Sequence, residues 1–174
     1  MKRIIIEIKA VSSDLSGLRK KLDELNADYK GVDHQIDTYF QVKEGRLKCR
    51  QGNIENTLIY YKRANQAGPK LSNVNLYKPG QNPSDLVDLL REALGIRVIV
   101  DKKRHILFVG NVKFHLDEVK GLGTFVEIEA IESESYDTRE KLLAQCEHYM
   151  KYLGIRQEDL ITHSYSDLLI KESI

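Results

Sequence analysis

The sequence predicts an α+β domain in which a mainly antiparallel sheet carries three or four helices on its outside. Three observations lead there. Short runs rich in β-branched residues recur along the chain. Most of them are joined by hairpin-like turns at Gly45, Gly52-Asn53, Gly110-Asn111 and Gly121-Leu122-Gly123. The other stretches carry leucines at helical spacing between capping residues and glycine stops. A chain of 174 residues suits one domain with a full-sized core, and no linker divides it, so residues 1–174 read as a single domain.

The elements follow in order. Arg3 to Val11 reads as a strand. Ser12, Ser13 and Asp14 are capping residues, and Leu15, Leu18, Leu22 and Leu25 then mark a helix that ends near Asn26 to Asp28. Strands are expected at Thr38 to Val42, Arg46 to Gln51 and Asn56 to Arg63, a loop at Ala67-Gly68-Pro69, a short strand at Asn75 to Lys78 and a turn at Pro79-Gly80. Ser84 caps a second helix through Leu86, Leu89, Leu90, Ala93 and Leu94, and Gly95 stops it. Ile96 to Val100 and Arg104 to Val109 are two strands or one bent strand. Val112 to Val119 and Thr124 to Ile131 are further strands. Thr138 opens a third helix carrying Leu142, Cys146, Tyr149 and Leu153, stopped by Gly154, and Ser164 to Ile170 form a short last helix. Residues 7–13 echo residues 127–133 weakly, and each stretch precedes a helix.

Charge on these strands has a particular placement. Side chains i and i+2 share a face of a strand. In the first strand Ile4, Ile6, Ile8 and Ala10 make one apolar face, and Ile5, Glu7, Lys9 and Val11 make the other. Lys48 and Arg50 alternate with Leu47 and Cys49, and Glu127 and Glu129 with Val126, Ile128 and Ala130. Lys113, His115 and Asp117 alternate with Val112, Phe114 and Leu116. Lys102 and Arg104 are another i, i+2 pair, and Lys62 shares a strand with Tyr60. For any one strand, a sheet wetted on one side accounts for this alternation. Five strands together favour a different account, because acids and bases come as segregated pairs. Neighbouring carboxylates repel unless a cation lies between them, and neighbouring bases repel unless an anion does. A metal-bound polyphosphate supplies both partners, and a sheet curled into a barrel would enclose it.

Other function classes are excluded. The net charge is +1, from 27 basic and 26 acidic residues, which argues against coating nucleic acid, so no nucleic-acid partner is expected. No apolar run is long enough to span a bilayer, and the first ten residues lack the apolar stretch of a signal peptide. With Cys49 and Cys146 read as reduced core residues, a cytoplasmic protein is expected. There is no phosphate-binding G-x-x-x-x-G-K-[ST] loop, and Gly121 and Gly123 precede a strand rather than a helix, so they are no dinucleotide fingerprint.

Seven pieces then occur in one order: IEIKA near the start, DTYF (Asp37 to Phe40), GRLKCR (Gly45 to Arg50), LIYYKR (Leu58 to Arg63), KKR (Lys102 to Arg104), the long stretch from Ile106 to Glu129, and HSYSDLL (His163 to Leu169). With them the chain resembles the CYTH family of triphosphate-tunnel proteins, over essentially its whole length. The stretch FVG…LDEVKGLG…E and the overall length look most like the class IV adenylate cyclase branch.

The resemblance implies an eight-stranded antiparallel β-barrel with helices packed outside and a tunnel with acidic and basic sides. It implies that Glu7, Glu127 and Glu129 hold Mg²⁺ or Mn²⁺, with Asp117 supporting that site. It also implies that Lys9, Lys48, Arg50, Lys62, Lys102 and Arg104 grip the phosphates, Lys9 or Lys62 also serving in proton transfer. One departure is plain: the family signature E-x-E-x-K has Ile5 in the place of its first glutamate. The implied partner is a nucleoside or organic triphosphate, bound by a monomer or homodimer. The implied activities are cyclisation of ATP to cyclic AMP and pyrophosphate, or hydrolysis of thiamine triphosphate or inorganic triphosphate. With Ile5 in that place, a non-catalytic nucleotide- or polyphosphate-binding module is a further alternative.

Overall fold

The computed structural model describes residues 2–62, 65–79, 83–136 and 138–172. Its elements are β1 (Lys2–Val11), α1 (Leu15–Glu24), β2 (Asp28–Phe40), β3 (Arg46–Gln51), β4 (Thr57–Lys62), β5 (Lys70–Tyr77), α2 (Pro83–Leu94), β6 (Ile96–Val109), β7 (Val112–Val119), β8 (Gly123–Ile131), α3 (Arg139–Leu153) and α4 (Tyr165–Glu172). The eight strands close into a barrel in the order β1-β5-β4-β3-β2-β6-β7-β8, and every neighbouring pair is antiparallel. Two meanders, β2 to β5 and β6 to β8, are joined through β1, which pairs with β5 on one side and β8 on the other. The two echoing segments are thus neighbours: Glu7 lies opposite Glu129, Ile8 opposite Ile128, and Lys9 opposite Glu127.

The main core lies outside the barrel. The apolar faces of β1, β7 and β8 (Ile6, Ile8, Phe114, Leu116, Ile128) pack under Leu18 and Leu22 of α1 and Leu142, Cys146 and Leu153 of α3. Each such fully buried side chain contributes about 1.5–3 kcal/mol. A smaller cluster seats Val87 of α2 on Phe40 and Cys49. These helices cover the outer faces of β1, β7 and β8 and part of β2 and β3, so the charged alternate residues of those stretches point into the barrel. The Asp14 carboxylate caps α1 by accepting from the Gly17 N–H at 2.8 Å. Gly154, at φ 77°, ends α3 in the left-handed conformation that glycine adopts most easily. Both cysteines are free and buried. Burial pushes the Cys49 thiol up to about 11 and the Cys146 thiol to about 12, so neither is a reactive thiolate.

Two strands are longer than their sequence suggests. β2 begins at Asp28 rather than Thr38, because Asp33, Gln35 and Asp37 point into a polar interior and hide the usual apolar alternation. For the same reason β5 begins at Lys70 rather than Asn75: Lys70 and Ser72 are inward residues. Of the two alternatives for Ile96 to Val109, one continuous strand is found. The expected end of β4 at Arg63 and the turn residue Gly80 lie outside the described residues.

Candidate functional site

Inside the barrel the charged side chains form two adjoining clusters. The first is centred on Asp37 of β2, which is 1% exposed. Lys102 Nζ donates to its Oδ2 at 2.6 Å and Lys48 Nζ at 2.8 Å, while Arg50 Nε donates to Oδ1 at 2.9 Å. Three cations from β3 and β6 thus meet on one carboxylate. Burial opposes ionisation of Asp37, but Arg50, Lys102 and Lys48 outweigh it and hold the carboxyl well below its ordinary range. Lys102 goes the other way. Burial lowers its ammonium well below the ordinary lysine value against the pull of Asp37, and Arg50, Arg104 and Lys48 add to the push.

The second cluster joins β6, β7, β8 and β1. Arg104 donates through Nε to Asp117 Oδ1 at 2.7 Å and through Nη2 to Asp117 Oδ2 at 2.6 Å, a two-point clasp, and Nη2 also reaches Glu127 Oε2 at 2.8 Å. Lys9 Nζ lies 3.0 Å from Glu127 Oε1 and 3.6 Å from the centre of the Tyr165 ring. The Tyr165 hydroxyl donates to Asp117 Oδ2 at 2.8 Å. His115 Nδ1 is 3.1 Å from Glu127 Oε2 and 3.9 Å from Glu129 Oε1.

Both ends of this interior are dressed. At one end the β3–β4 hairpin tip turns inward: Asp33 accepts from the Ile54 and Glu55 N–H groups, and Glu55 pairs with Arg50 at 2.8 Å and with Lys113. At the other, the chain before α4 lies across the barrel mouth. Lys70 Nζ donates to the Ile161 and Thr162 carbonyls, and Arg46 pairs with Asp167 at 2.7 Å. Gly45, at φ 70°, makes the turn beside this mouth, where a Cβ would meet the Tyr61 carbonyl at 2.8 Å. One interior wall is apolar: Ile5 packs on Tyr61 and Val74, flanked by Ile59, Leu76 and Ile131.

The sequence-predicted residues fall as follows. Glu7, Lys9, Lys48, Arg50, Lys102, Arg104, Asp117, Glu127 and Glu129 all occupy inward positions, mostly buried. Asp117 is committed to Arg104 and Tyr165 through both oxygens, so it braces a cation and does not stand with the glutamates as a ligand. Lys62 is not brought into the tunnel. On β4 the inward residues are Ile59 and Tyr61, and Lys62 points out with Leu58 and Tyr60 to pair at 2.5 Å with Glu44. Both partners are more than half exposed, and Lys62 lines an outer pocket with Arg46 and Arg97, apart from the two inner clusters, so the expected place of Lys62 among the tunnel cations is not found.

Asp37, Glu55 and Lys113 were missed as site residues. The alternation of Asp33, Gln35 and Asp37 carried the signal, and so did the position of Lys113 two residues before His115. Among the described residues, Gln35 Oε1, Ser72 Oγ and His115 Nε2 are buried without a hydrogen-bond partner. Buried polar atoms without a partner are uncommon in folded proteins, and these lie in or beside a charged interior. The donors that lie close enough together to hold a metal ion are His115, Glu127 and Glu129, within 4.8 Å of one another.

Comparison with known proteins agrees with this geometry. The CYTH domain model matches residues 3–165. No curated protein matches the chain. Among solved structures, the PH1012 protein of Pyrococcus horikoshii aligns with a TM-score of 0.75 at 22% identity, covering 94% of this chain and 98% of its own. A candidate adenylate cyclase of Vibrio parahaemolyticus gives 0.76 at 16% identity, covering 97% and 98%. A candidate adenylyl cyclase of Hippeastrum, described as having a dominant triphosphatase activity, gives 0.61 at 18% identity, covering 98% and 95%. At these identities the structures share the fold.

Proposed function

The chain belongs to the CYTH domain family, and from that premise we propose that its barrel binds a nucleoside or organic triphosphate and cleaves a phosphoanhydride bond with the help of a divalent ion. One observation carries the proposal: Lys48, Arg50 and Lys102 converge on a single buried carboxylate, with Arg104 and Lys9 adjoining, in an interior that also presents unpartnered polar atoms. Each lysine ammonium has three donors, so a phosphate oxygen can join or replace Asp37 without stripping the cation bare. The arrangement suits a chain of phosphates lying along the two clusters. His115, Glu127 and Glu129 fit a divalent ion as donors. When bound there, such an ion would supply neutralisation of negative charge on the phosphate oxygens.

The protein's own part is positioning and charge stabilisation. Lys48, Arg50 and Lys102 hold one stretch of the phosphate chain, and Lys9 and Arg104 hold the adjoining stretch. Asp117 and Tyr165 fix the orientation of Arg104 and Lys9. In the class IV cyclase reaction the 3′-hydroxyl oxygen of ATP attacks the α-phosphorus. The bond to the β-phosphate oxygen breaks, pyrophosphate leaves, and the hydroxyl proton passes to a base. A second reading, attack by water and release of orthophosphate, is supported by the triphosphatase activity attached to the Hippeastrum neighbour.

The test is one panel of ATP, GTP, thiamine triphosphate and inorganic triphosphate, assayed for cyclic nucleotide and for phosphate. It runs beside the Glu127→Ala/Glu129→Ala double variant. Cyclic AMP from ATP, lost in the variant, is the expected result. Orthophosphate from a small triphosphate would move the assignment to the second reading. Binding without turnover would make the chain a sensor, and absence of binding would end the tunnel reading.

A further inference from the structure

We infer that the ion of this tunnel is held on β7 and β8 by one histidine and two glutamates, His115, Glu127 and Glu129, and that the centre takes first-row transition ions such as Mn²⁺ and Co²⁺ in preference to Mg²⁺. The inference rests on the proposed function for the presence of an ion and goes beyond it in naming the donor set and its selectivity.

On β1 an isoleucine, Ile5, stands where the family signature has a glutamate, and it gives the wall beside Glu7 an apolar lining with Tyr61 and Val74. Asp117, clasped by Arg104 and Tyr165, is not in the group of donors that lie within 4.8 Å of one another. The position that faces the glutamates instead is His115, two residues earlier on the same face of β7 and directly opposite Glu127. Its ring is fully buried. Nδ1 faces both carboxylates at 3.1 and 3.9 Å, and Nε2 has no hydrogen-bond partner among the described residues. A structural histidine in a core normally has both ring nitrogens satisfied, because a buried unpaired polar atom costs about 1–3 kcal/mol. The unpartnered Nε2 shows that structural hydrogen bonds do not account for the ring's buried position, and Nδ1, which faces the two carboxylates, is the atom that would meet an ion. The three donors already lie within 4.8 Å of one another, little more than the ~3–4 Å separation expected for two ligands bound at about 2.1 Å.

Selectivity follows from donor chemistry. Mg²⁺ is hard, demands near-octahedral oxygen coordination and parts with its water reluctantly. Imidazole nitrogen is a softer donor, and affinity for it rises from Mn²⁺ through Co²⁺. Replacing one carboxylate by a neutral ring also removes a negative charge, which weakens the hold on a hard ion whose binding is mainly electrostatic. The cations around the site, Lys9 and Arg104 on Glu127, compete with an ion. A bound ion must therefore gain from a directional bond, which a nitrogen donor gives to a transition ion and not to Mg²⁺.

The test uses the full chain stripped of metal by a chelator, in the absence of any triphosphate. Mn²⁺, Co²⁺ and Mg²⁺ are titrated separately by calorimetry, and the visible spectrum of the Co²⁺ form reports a nitrogen ligand. The wild type is expected to bind Mn²⁺ and Co²⁺ more tightly than Mg²⁺. His115→Asp is expected to narrow the Mn²⁺/Mg²⁺ affinity ratio by at least about tenfold and to change the Co²⁺ spectrum. Glu129→Gln, a conservative change at a less buried position, should weaken all three ions and keep the order. An Mn²⁺/Mg²⁺ ratio unchanged by His115→Asp in a folded variant overturns the inference, as does equal binding of Mg²⁺ and Mn²⁺ by the wild type, or no ion binding at all. A parallel titration with tripolyphosphate separates the two claims. If tripolyphosphate binds while the ratio ignores His115, the metal centre is wrong and the proposed function stands. If the ions bind through His115 while tripolyphosphate does not bind, the function is wrong and the centre stands.

Discussion

Replacing Asp37 by asparagine probes the first cluster directly. The substitution keeps the side chain's size and one acceptor oxygen but removes the charge on which Lys48, Arg50 and Lys102 converge. Lys102 is 1% exposed at its side chain and Arg50 9%, so solvent cannot take over from the lost carboxylate. Breaking a buried pair by removing one partner costs about 3–5 kcal/mol, because the remaining charge is left uncompensated. For a chain of this size that loss lowers the unfolding midpoint by about 6–20 °C. A general destabilisation would do the same, so the informative part is rescue. In the wild type a phosphate must compete with Asp37 for the cations, and in Asp37→Asn it does not. Tripolyphosphate should therefore bind the variant more tightly, by about tenfold or about 1.4 kcal/mol, and should raise its midpoint more than that of the wild type. Thermal unfolding followed by circular dichroism, with and without tripolyphosphate and with chloride at matched ionic strength as control, measures both effects. A loss below about 1 kcal/mol would show that the three cations do not depend on this carboxylate. Equal rescue of both proteins would refute the claim that Asp37 occupies a phosphate position.

Three further outcomes are expected. Ile5→Glu puts a carboxylate against Tyr61 and Val74, so it should destabilise by about 2–4 kcal/mol, with a smaller loss in acid where the new group is neutral, as pH-dependent unfolding will show. Lys102→Ala should weaken tripolyphosphate binding by about 10–100-fold in calorimetry, the worth of one charge-assisted contact, whereas Lys62→Ala should change it by less than about twofold. Stability should decline gently below about pH 6.5, where the unfolded chain protonates His115 before the folded one does, and fall steeply below about pH 4. Asp37, Asp117 and Glu127 have folded values below their unfolded ones, so their contribution is full above the unfolded values and is lost as pH drops through the folded ones. A midpoint that falls no more steeply in the wild type than in Asp37→Asn would remove Asp37 from that account.

Sequence legibility followed the physics of the barrel. Where one strand face packs under a helix, as in β1, β7 and β8, period-two alternation was plain, and Glu7, Lys9, Lys113, His115, Asp117, Glu127 and Glu129 could be placed on the opposite face from the residues alone. Where the outer face is also wet, as in the first half of β2, no apolar stripe remained, and only the alternation of Asp33, Gln35 and Asp37 marked them as interior residues. Lys62 shows the same limit from the other side. On β4 the interior wall is apolar and the outer face mixed, so the rule that charge points inward chose the wrong face. Which carboxylate meets which base depends on register across the barrel. Asp37 and Lys102 are 65 residues apart, and no local pattern gives such a pairing. The clasp of Arg104 and Tyr165 on Asp117 lay beyond the sequence for the same reason.

That cross-barrel pairing also bears on how such a tunnel can exist without its ligand. A closed interior lined with unpaired lysines and arginines would be severely destabilised. Here the cations are matched by Asp37, Glu55, Asp117 and Glu127, so the empty barrel is close to neutral inside. Binding a triphosphate is then an exchange of one set of anions for another rather than a filling of vacant sites. The affinity measured is a difference between two similar sets of contacts, so it should lie well below what the number of basic residues suggests, and it should rise when an internal carboxylate is removed. A divalent ion fits the same logic, because it offers Glu127 and Glu129 a new partner when the phosphates draw Lys9 and Arg104 away. Ion and triphosphate should therefore bind with positive coupling, each relieving the charges the other leaves unpaired.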